Sequence, residues 1–469
     1  MIRSVASEDN VDRLTVIGAG LAGCEAAYQA ASLGVPVTLC EMKPDVKTAA
    51  HRSDGMAELV CSNSLRSAEL TNASGLLKEE LRRMGSVIME ACDATRVAAG
   101  GALAVDRDRF SAYVTERIRS HPMIEVVTGE VRRVPRDGTV VVATGPLTAD
   151  ALASDIVSLV GEEGLSFFDA AAPIVSFDSI DMSRAFFASR YGKGSADYIN
   201  CPMTEPEYRV FYDALVSAEE APVHGADAES GIRVFEGCMP IEVMARRGFD
   251  TLRFGPLKPV GITNPVTGET YYAVVQLRRE NEAGEMFNLV GFQTHLKFPE
   301  QRRVFGMIPG LEHAEFLRYG VMHRNTFINS PEHLNGDYSL RTAENIYFAG
   351  QMTGVEGYIE SAASGFAAGV SAALRFRGEL PVKFPDTTMI GAMAKYISEG
   401  GVGDFQPMNA NFGIIAPLGV KVRGGKKARY SAYAERALSV IDGISDTLCG
   451  LRGDVVATAE RKIGNENNN

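Results

Sequence analysis

The sequence predicts an α/β fold in which a mostly parallel sheet with crossover helices is interrupted by an inserted α+β unit and then resumed. Three observations carry this. A strand–turn–helix–strand pattern lies near the start, short strands and turns take over after Leu147, and the first kind of pattern returns at Asn345-Ile-Tyr-Phe-Ala-Gly350. The opening pattern is Arg13-Leu-Thr-Val-Ile-Gly-Ala-Gly-Leu-Ala-Gly23. Its β-branched run ends in Gly-x-Gly-x-x-Gly, with Gly18, Gly20 and Gly23 at the glycine positions and Ala19, Leu21 and Ala22 between them. An Ala-rich helical pattern follows from Cys24 to Leu33, and a second apolar run, Val35 to Cys40, ends at Glu41. Strand, tight turn, helix, strand and acid fit within the roughly 30 residues of a βαβ dinucleotide unit. In that reading Gly18 makes the turn, Gly20 lets backbone N–H groups approach a pyrophosphate, and Gly23 lets helix and strand pack closely. The helix N-terminus offers its positive end to the anion, and Glu41 accepts the ribose hydroxyls.

The remaining elements follow in order. Residues 46–75 are polar and read as a long functional loop, passing into a helix near Ala73–Met84. Asp106–Arg119 reads as a helix, and Met123–Thr128 and Thr139–Ala143 as strands. From about 175 to 320 the strands are short (Ala196–Cys201, Tyr272–Arg278, Met286–Gly291), with a helix near Glu205–Glu219. After Gly350 comes Gln351-Met-Thr-Gly354-Val-Glu-Gly-Tyr358, a glycine-rich loop leading into a small-residue helix. A second glycine loop on the same sheet favours a tightly held FAD, because a nicotinamide dehydrogenase normally needs only the first. Gly350, Gln351 and Gly354 join the expected cofactor contacts. Tyr358 could stack on a ring or simply pack. Residues 380–420 look loop-rich, with a helix near Ala428–Leu448. The expected division is 11–174 and 321–400 for a discontinuous, Rossmann-like FAD-binding domain and 175–320 for the insert. A helical and basic segment follows at 401–460, then a disordered tail at 461–469.

Bulk properties narrow the function. The chain has 469 residues, 45% of them hydrophobic, enough for two or three domains. No apolar run approaches the ~18–20 residues of a membrane span, and Met1–Asn10 lacks a signal-peptide core. The seven cysteines form no CxxC pair and the seven histidines do not bunch with them, so a cytoplasmic protein with reduced thiols and no metal is expected. A net charge of −12 argues against indiscriminate nucleic-acid binding but leaves room for a local basic patch. Lys421-Val-Arg-Gly-Gly-Lys-Lys-Ala-Arg429 is one, and the pairs Arg246-Arg247, Arg278-Arg279 and Arg302-Arg303 are candidates to join it.

Two thiols sit in polar surroundings. Cys61 lies in Leu59-Val-Cys-Ser-Asn-Ser-Leu-Arg66, among hydroxyls, an amide and a cation. Cys238 lies in Val234-Phe-Glu-Gly-Cys-Met-Pro-Ile-Glu242, with a carboxylate on each side. Polar, positive surroundings activate a thiol, although a cysteine is more often a small buried hydrophobe. That second reading is the one expected of Cys24, Cys40, Cys92, Cys201 and Cys449. A flavoenzyme acting on uracil has use for two thiols. Thiolate addition at C6 makes C5 nucleophilic toward a one-carbon unit, and a base must later take the C5 proton.

These residues closely resemble the folate- and FAD-dependent tRNA (uracil-5-)-methyltransferases, the TrmFO family. The resemblance rests on the glycine turn, Glu58–Arg66, Gly75–Leu81, Ala104-Val-Asp-Arg107, Phe235–Glu242, Leu252–Gly261 and Ala349–Tyr358. It implies FAD, 5,10-methylenetetrahydrofolate as carbon donor, NADH or NADPH as reductant, and a T-loop uridine of tRNA as acceptor. It further implies Cys61 and Cys238 as the nucleophile and base pair, with Cys238 expected to add to C6. Rival readings are the same chemistry on ribosomal RNA, a small-substrate flavin oxidoreductase, and a partner-dependent wobble-uridine flavoprotein. The last expects a longer chain.

Overall fold

Six strands form the sheet that the first glycine turn serves, in the order Ser339–Leu340, Ala343–Phe348, Val140–Val142, Leu14–Ile17, Val37–Glu41 and Ile124–Thr128. All neighbours are parallel except the edge pair Ser339–Leu340 and Ala343–Phe348. The computed structural model describes residues 12–48, 51–161, 165–170, 172–192, 195–221, 239–281, 283–320, 322–400, 405 and 407–466. Val140, Val141 and Val142 are at most 1% exposed. Buried on both faces, they read as a continuous apolar run rather than an alternating one.

Two helices lie side by side on this sheet, Leu21–Ser32 and Tyr358–Phe376. Small residues set their distance. A Cβ on Gly365 would lie 2.2 Å from the Ala22 carbonyl oxygen, and one on Gly369 would lie 2.6 Å from the Ala26 Cα. The second glycine-rich segment is therefore a packing device as well as a loop, and it brings the two helix N-termini together.

An antiparallel ribbon, Leu165–Ala170 against Met322–Phe327, carries the chain out to the insert and back. The insert is a second six-stranded sheet, antiparallel at every described pair: Phe186–Ala188, Tyr198–Met203, Ala273–Arg279, Met286–Leu289, Ile174–Ser176 and Phe316–Arg318. The Glu205–Val216 helix opens with a Thr204–Glu207 capping box and buries Tyr208, Phe211 and Leu215 against this sheet. The expected α/β fold with an inserted α+β unit is thus present.

Local expectations failed in four places. The polar stretch after residue 46 holds a strand, Ser64–Ser67, which pairs with Ala102–Val105 in a three-stranded sheet completed by Arg96–Val97. A helix at Val87–Ala94 was also not anticipated. The last helix runs from Gly425 to Glu466, through most of the tail expected to be disordered, because Ala457, Ala459, Glu460, Arg461 and Lys462 favour helix whatever their polarity. The loop-rich 380–420 segment contains a helix, Met389–Glu399, with eight buried residues. Its N-terminus is capped from outside. Glu80 accepts the Met389 N–H at 2.7 Å and the Ile390 N–H at 2.9 Å. Glu80 is fully buried, and burial pushes its carboxyl up to about 7 against the pull of those two donors.

A raised native pKa means that the folded chain holds this proton more tightly than the unfolded one. The resulting stability is complete below about pH 4.5 and is lost as pH rises through 7, a change of about 3 kcal/mol at most. Glu80→Gln should therefore remove part of the Tm decline between pH 5 and 7.5. A decline identical to that of the wild type would exclude Glu80 as its source.

Among the described residues, no helix is long and apolar enough to cross a membrane, and no three His, Cys, Asp or Glu side chains are grouped to hold a metal ion.

Candidate active site

Strands Leu14–Ile17, Val37–Glu41 and Val140–Val142 point their carboxyl ends at one cleft of about 670 Å³. Its walls include Gly18, Ala19, Gly20, Glu41, Lys43, His51 and Thr148. This is the crevice in which open α/β sheets bind ligands. The three glycines differ in their reasons. Gly18 has φ +96°, and a Cβ there would lie 2.8 Å from the Ala143 carbonyl oxygen. A Cβ on Gly23 would lie 1.8 Å from the Gly18 carbonyl oxygen. Both are demanded by the protein's own packing. A Cβ on Gly20 would meet nothing within 4 Å. No internal contact requires glycine there, and the residue faces the cleft. Such a site suits a group that approaches the backbone from outside.

Glu41 is buried, and each of its oxygens takes one backbone donor, Ala19 N–H at 2.7 Å and Lys43 N–H at 2.9 Å. Each oxygen keeps a lone pair for a hydroxyl. The Lys43 ammonium is buried beside Glu58 at 3.5 Å. Burial, reinforced by Lys43, holds the His51 imidazole below its ordinary pKa. Leu21, Ala22 and Gly23, expected as cofactor contacts, are buried in the first turn of the helix and do not line the cleft.

The second glycine loop abuts the first, since a Cβ on Gly350 (φ +84°) would lie 3.1 Å from the Ala22 Cβ. Gln351 bonds to Glu356 at 2.5 Å, and Gly354 (φ +82°) makes room for the Phe405 ring. Tyr358 then does something the sequence could not indicate. Its hydroxyl accepts the backbone N–H of Cys61 at 2.7 Å and of Ser62 at 3.1 Å. Burial raises the phenol pKa, keeping it neutral. Loops almost 300 residues apart in sequence are thereby joined, and Cys61 stands beside the Gly350–Tyr358 loop.

The Cys61 loop is also fastened to the insert. Asn63 is fully buried and donates to the carbonyls of Val105, Arg279 and Glu280 at 3.1, 2.9 and 3.2 Å. Arg278 donates to Asn63 Oδ1 at 3.1 Å and Ser62 Oγ at 2.6 Å. Arg278, a candidate for RNA contact by sequence, is instead 8% exposed and serves this seam. Arg246 and Arg303 pair with Glu220 and Glu300. Two further guanidinium groups converge on the same loop. Arg107 donates to the Leu59 carbonyl at 2.8 Å and the Cys61 carbonyl at 3.4 Å while pairing with Glu280 at 2.7 Å. Arg318 donates to the Val60 carbonyl, and its buried Nε has no protein hydrogen-bond partner among the described residues. Arg107 lies within the Ala104-Val-Asp-Arg motif and could have been singled out. Arg318 carries no local signal.

Cys238, with Phe235, Glu236 and Gly237, lies outside the described residues. The chain is described again from Met239, and Ile241–Arg246 is helical. Glu242, expected as a carboxylate beside that thiol, is fully buried and accepts Thr294 Oγ1 at 2.9 Å and the His295 N–H at 2.6 Å. It locks the helix to the 294–295 turn. Cys24, Cys92 and Cys201 are buried, with thiols pushed up by desolvation, as expected of packing residues. Cys40 lines the cleft, and Cys449 is exposed on the last helix, so neither is a simple core residue.

The comparisons agree with this architecture. The family model described as "Glucose inhibited division protein A" matches residues 13–380. The chain is 58% identical over 431 residues to methylenetetrahydrofolate--tRNA-(uracil-5-)-methyltransferase TrmFO of Acetivibrio thermocellus, covering 92% of this chain and 98% of that protein. It is 56% identical over 432 residues to the protein of the same name from Brevibacillus brevis, with the same coverage. Among solved structures, Aquifex aeolicus GidA superimposes with a TM-score of 0.67 at 18% identity, covering 97% of this chain and 76% of that one. That likeness is one of fold. The chain belongs to the TrmFO family, within the wider group that the glucose inhibited division protein A model describes.

Proposed function

We propose that this chain methylates C5 of a T-loop uridine in tRNA. The carbon comes from 5,10-methylenetetrahydrofolate, and the reducing equivalents come from NADH or NADPH through bound FAD. The observation that carries the reading is the Tyr358 link, which sets the Cys61 loop against the second glycine loop of a nucleotide-binding sheet. The relatives' names supply the substrate class.

The residues present fit the cofactor. Gly20 leaves open space on the cleft wall and Glu41 retains acceptor capacity, while the first helix points its N-terminus at the cleft. Gly18, Ala19, Gly20 and Glu41 would hold the nucleotide end of FAD, with Leu21, Ala22 and Gly23 shaping the helix behind them. Gly350, Gln351, Gly354 and Tyr358 would border its ring. When bound, FAD would supply the hydride that reduces a methylene to a methyl group.

The protein's own steps concern the pyrimidine. A thiolate, assigned to Cys238, adds to uracil C6, and the ring electrons move to C5, which attacks the methylene carbon. Cys61 then takes the C5 proton as the bond from the methylene carbon to the folate nitrogen breaks, which releases tetrahydrofolate and leaves a methylene on C5. A hydride added to that carbon, which bound FAD would supply, would complete the methyl group and expel the C6 sulfur as thiolate. Arg107 and Arg318 hold the carbonyls of residues 59–61 and so keep Cys61 in place. A cytoplasmic setting follows from a tRNA substrate and reduced thiols.

The test compares donors. An unmodified tRNA transcript incubated with the holoenzyme and NADH should gain 5-methyluridine with methylenetetrahydrofolate and none with S-adenosylmethionine. Methylation from S-adenosylmethionine, or methylation confined to ribosomal RNA, would overturn the proposal.

A further inference from the structure

One stretch of the molecule reverses the character of the rest. The chain carries a net charge of −12, yet from Phe405 through Ala434 it contains no acidic residue. Five cations cluster there: Lys421, Arg423, Lys426, Lys427 and Arg429. All five are exposed, and no described carboxylate forms an ion pair with any of them. Elsewhere on the surface, arginines such as Arg82, Arg184 and Arg209 are matched with acids. A bare cluster of this kind costs self-repulsion in the folded chain unless a polyanion relieves it.

The cluster is held to the candidate active site by a continuous set of contacts. The Phe412 ring stacks on Tyr430 with centroids 4.2 Å apart and lies 5.8 Å from Tyr433. Lys426 and Arg429 each sit 5.4 Å from the centre of the Tyr430 ring. Upstream of Phe412, the Ala410 N–H bonds to Glu360 at 3.1 Å and the Met408 N–H to the Gly354 carbonyl at 2.9 Å. The segment that carries the aromatic clamp therefore lies along the second glycine loop. Glu360 also pairs with Arg66 at 3.7 Å, on the strand that follows Cys61. Cys61 and the basic cluster are thus connected through two short pieces of chain that meet at Glu360.

We propose that the surface formed by Lys421, Arg423, Lys426, Lys427 and Arg429 receives the sugar–phosphate backbone of the substrate RNA. This rests on the reading of the chain as an RNA methyltransferase and adds where the RNA is gripped. The chemistry suits the partner. Lys421 and Arg423 precede the Gly424-Gly425 pair, Lys426, Lys427 and Arg429 stand on the first turns of the last helix, and such heads neutralise phosphates without reading bases. The Phe412–Tyr430 stack fixes the grip relative to the thiol. On a chain of net charge −12, this cluster offers the polyanion a local surface of opposite charge.

The experiment uses the full-length holoenzyme and an unmodified tRNA transcript. In Lys426→Glu/Lys427→Glu/Arg429→Glu, the transcript Kd measured without folate should rise at least tenfold, with a matching rise in KM rather than a loss of kcat. The slope of log Kd against log salt should fall by about 2–3, one counterion per lost phosphate contact. Lys426→Arg/Lys427→Arg/Arg429→Lys should keep the wild-type Kd and slope, which separates charge from folding. An unchanged Kd and slope in the charge-reversed protein would overturn the proposal. If the wild type binds the transcript and does not methylate it, the enzymatic reading falls, and the surface is still judged by its Kd. If the wild type binds no RNA, both fall.

Discussion

Cys61→Ser is expected to lower methyl transfer to tRNA by about 10²–10⁴-fold, the usual contribution of a positioned acid–base group, while the protein stays yellow. A serine hydroxyl fills nearly the same space, and the loop's backbone is held by contacts that the substitution leaves in place. Tyr358 grips the backbone N–H of Cys61, and Arg107 and Arg318 hold the carbonyls of residues 59–61. Asn63 and Ser62 bind the insert. If Cys238 is the attacking thiol, losing the base at Cys61 leaves the C5 proton in place and the C6–S bond unbroken. A protein–RNA adduct should then accumulate and migrate slowly in a denaturing gel. Cys238→Ser should lose both adduct and product. Adduct formation in Cys238→Ser but not in Cys61→Ser would exchange the two roles. Full activity in Cys61→Ser would remove that residue from the reaction.

The parts of this site that can be read from sequence are those whose partners are close in the chain. Gly18, Gly20, Gly23 and Glu41 lie within one supersecondary unit, so spacing alone reports the turn, the helix start and the acid at the next strand end. The polar setting of Cys61 was visible for the same reason. What fixes that thiol was not. Tyr358 reaches it from a loop 297 positions later, and Arg318 from 258 positions away. No periodicity encodes such a meeting. It follows from two helices packed at glycine distance and from the insert folding back on the 61–66 loop. The same limit explains the missed elements. Strands of two to four residues are too short to show alternation. The Met389–Glu399 helix follows Pro381 and Pro385 and contains Gly391, all of which suggest a loop. That glycine is required because a Cβ would lie 2.1 Å from the Pro385 carbonyl oxygen, and the helix is anchored by Glu80 from a distant part of the chain. Arg278-Arg279 misled in the opposite direction. A dibasic pair at a strand end looks like surface, yet Arg278 is turned inward by the amide and hydroxyl that it serves.

A pair of single-methyl substitutions should divide the glycine turn into its structural and ligand-facing halves. Gly23→Ala would place a methyl 1.8 Å from the Gly18 carbonyl oxygen, and that obstacle is backbone, with no flexible side chain to swing away. Helix Leu21–Ser32 would have to move off the turn. It is already spaced against Gly365 and Gly369 at Ala22 and Ala26, so the shift would spread to the second glycine helix. The expected result is a loss of about 3–5 kcal/mol of stability, in the range of severe core substitutions, with a lower Tm and little retained flavin. Gly20→Ala adds the same methyl where no protein atom lies within 4 Å. Its φ of −72° suits any residue, so the fold should be untouched and the Tm of the cofactor-free protein unchanged. The methyl would point into the cleft, where the pyrophosphate is proposed to meet the backbone, and flavin affinity should fall at least tenfold, read from visible absorbance on titration. Two outcomes would refute this division. A Gly20→Ala protein that binds FAD like the wild type would mean that the pyrophosphate does not approach there. A Gly23→Ala protein with unaltered Tm would mean that the turn has slack the close contact denies. The contrast is informative because both variants add one carbon to the same six-residue motif, so any difference between them reports what stands opposite each glycine.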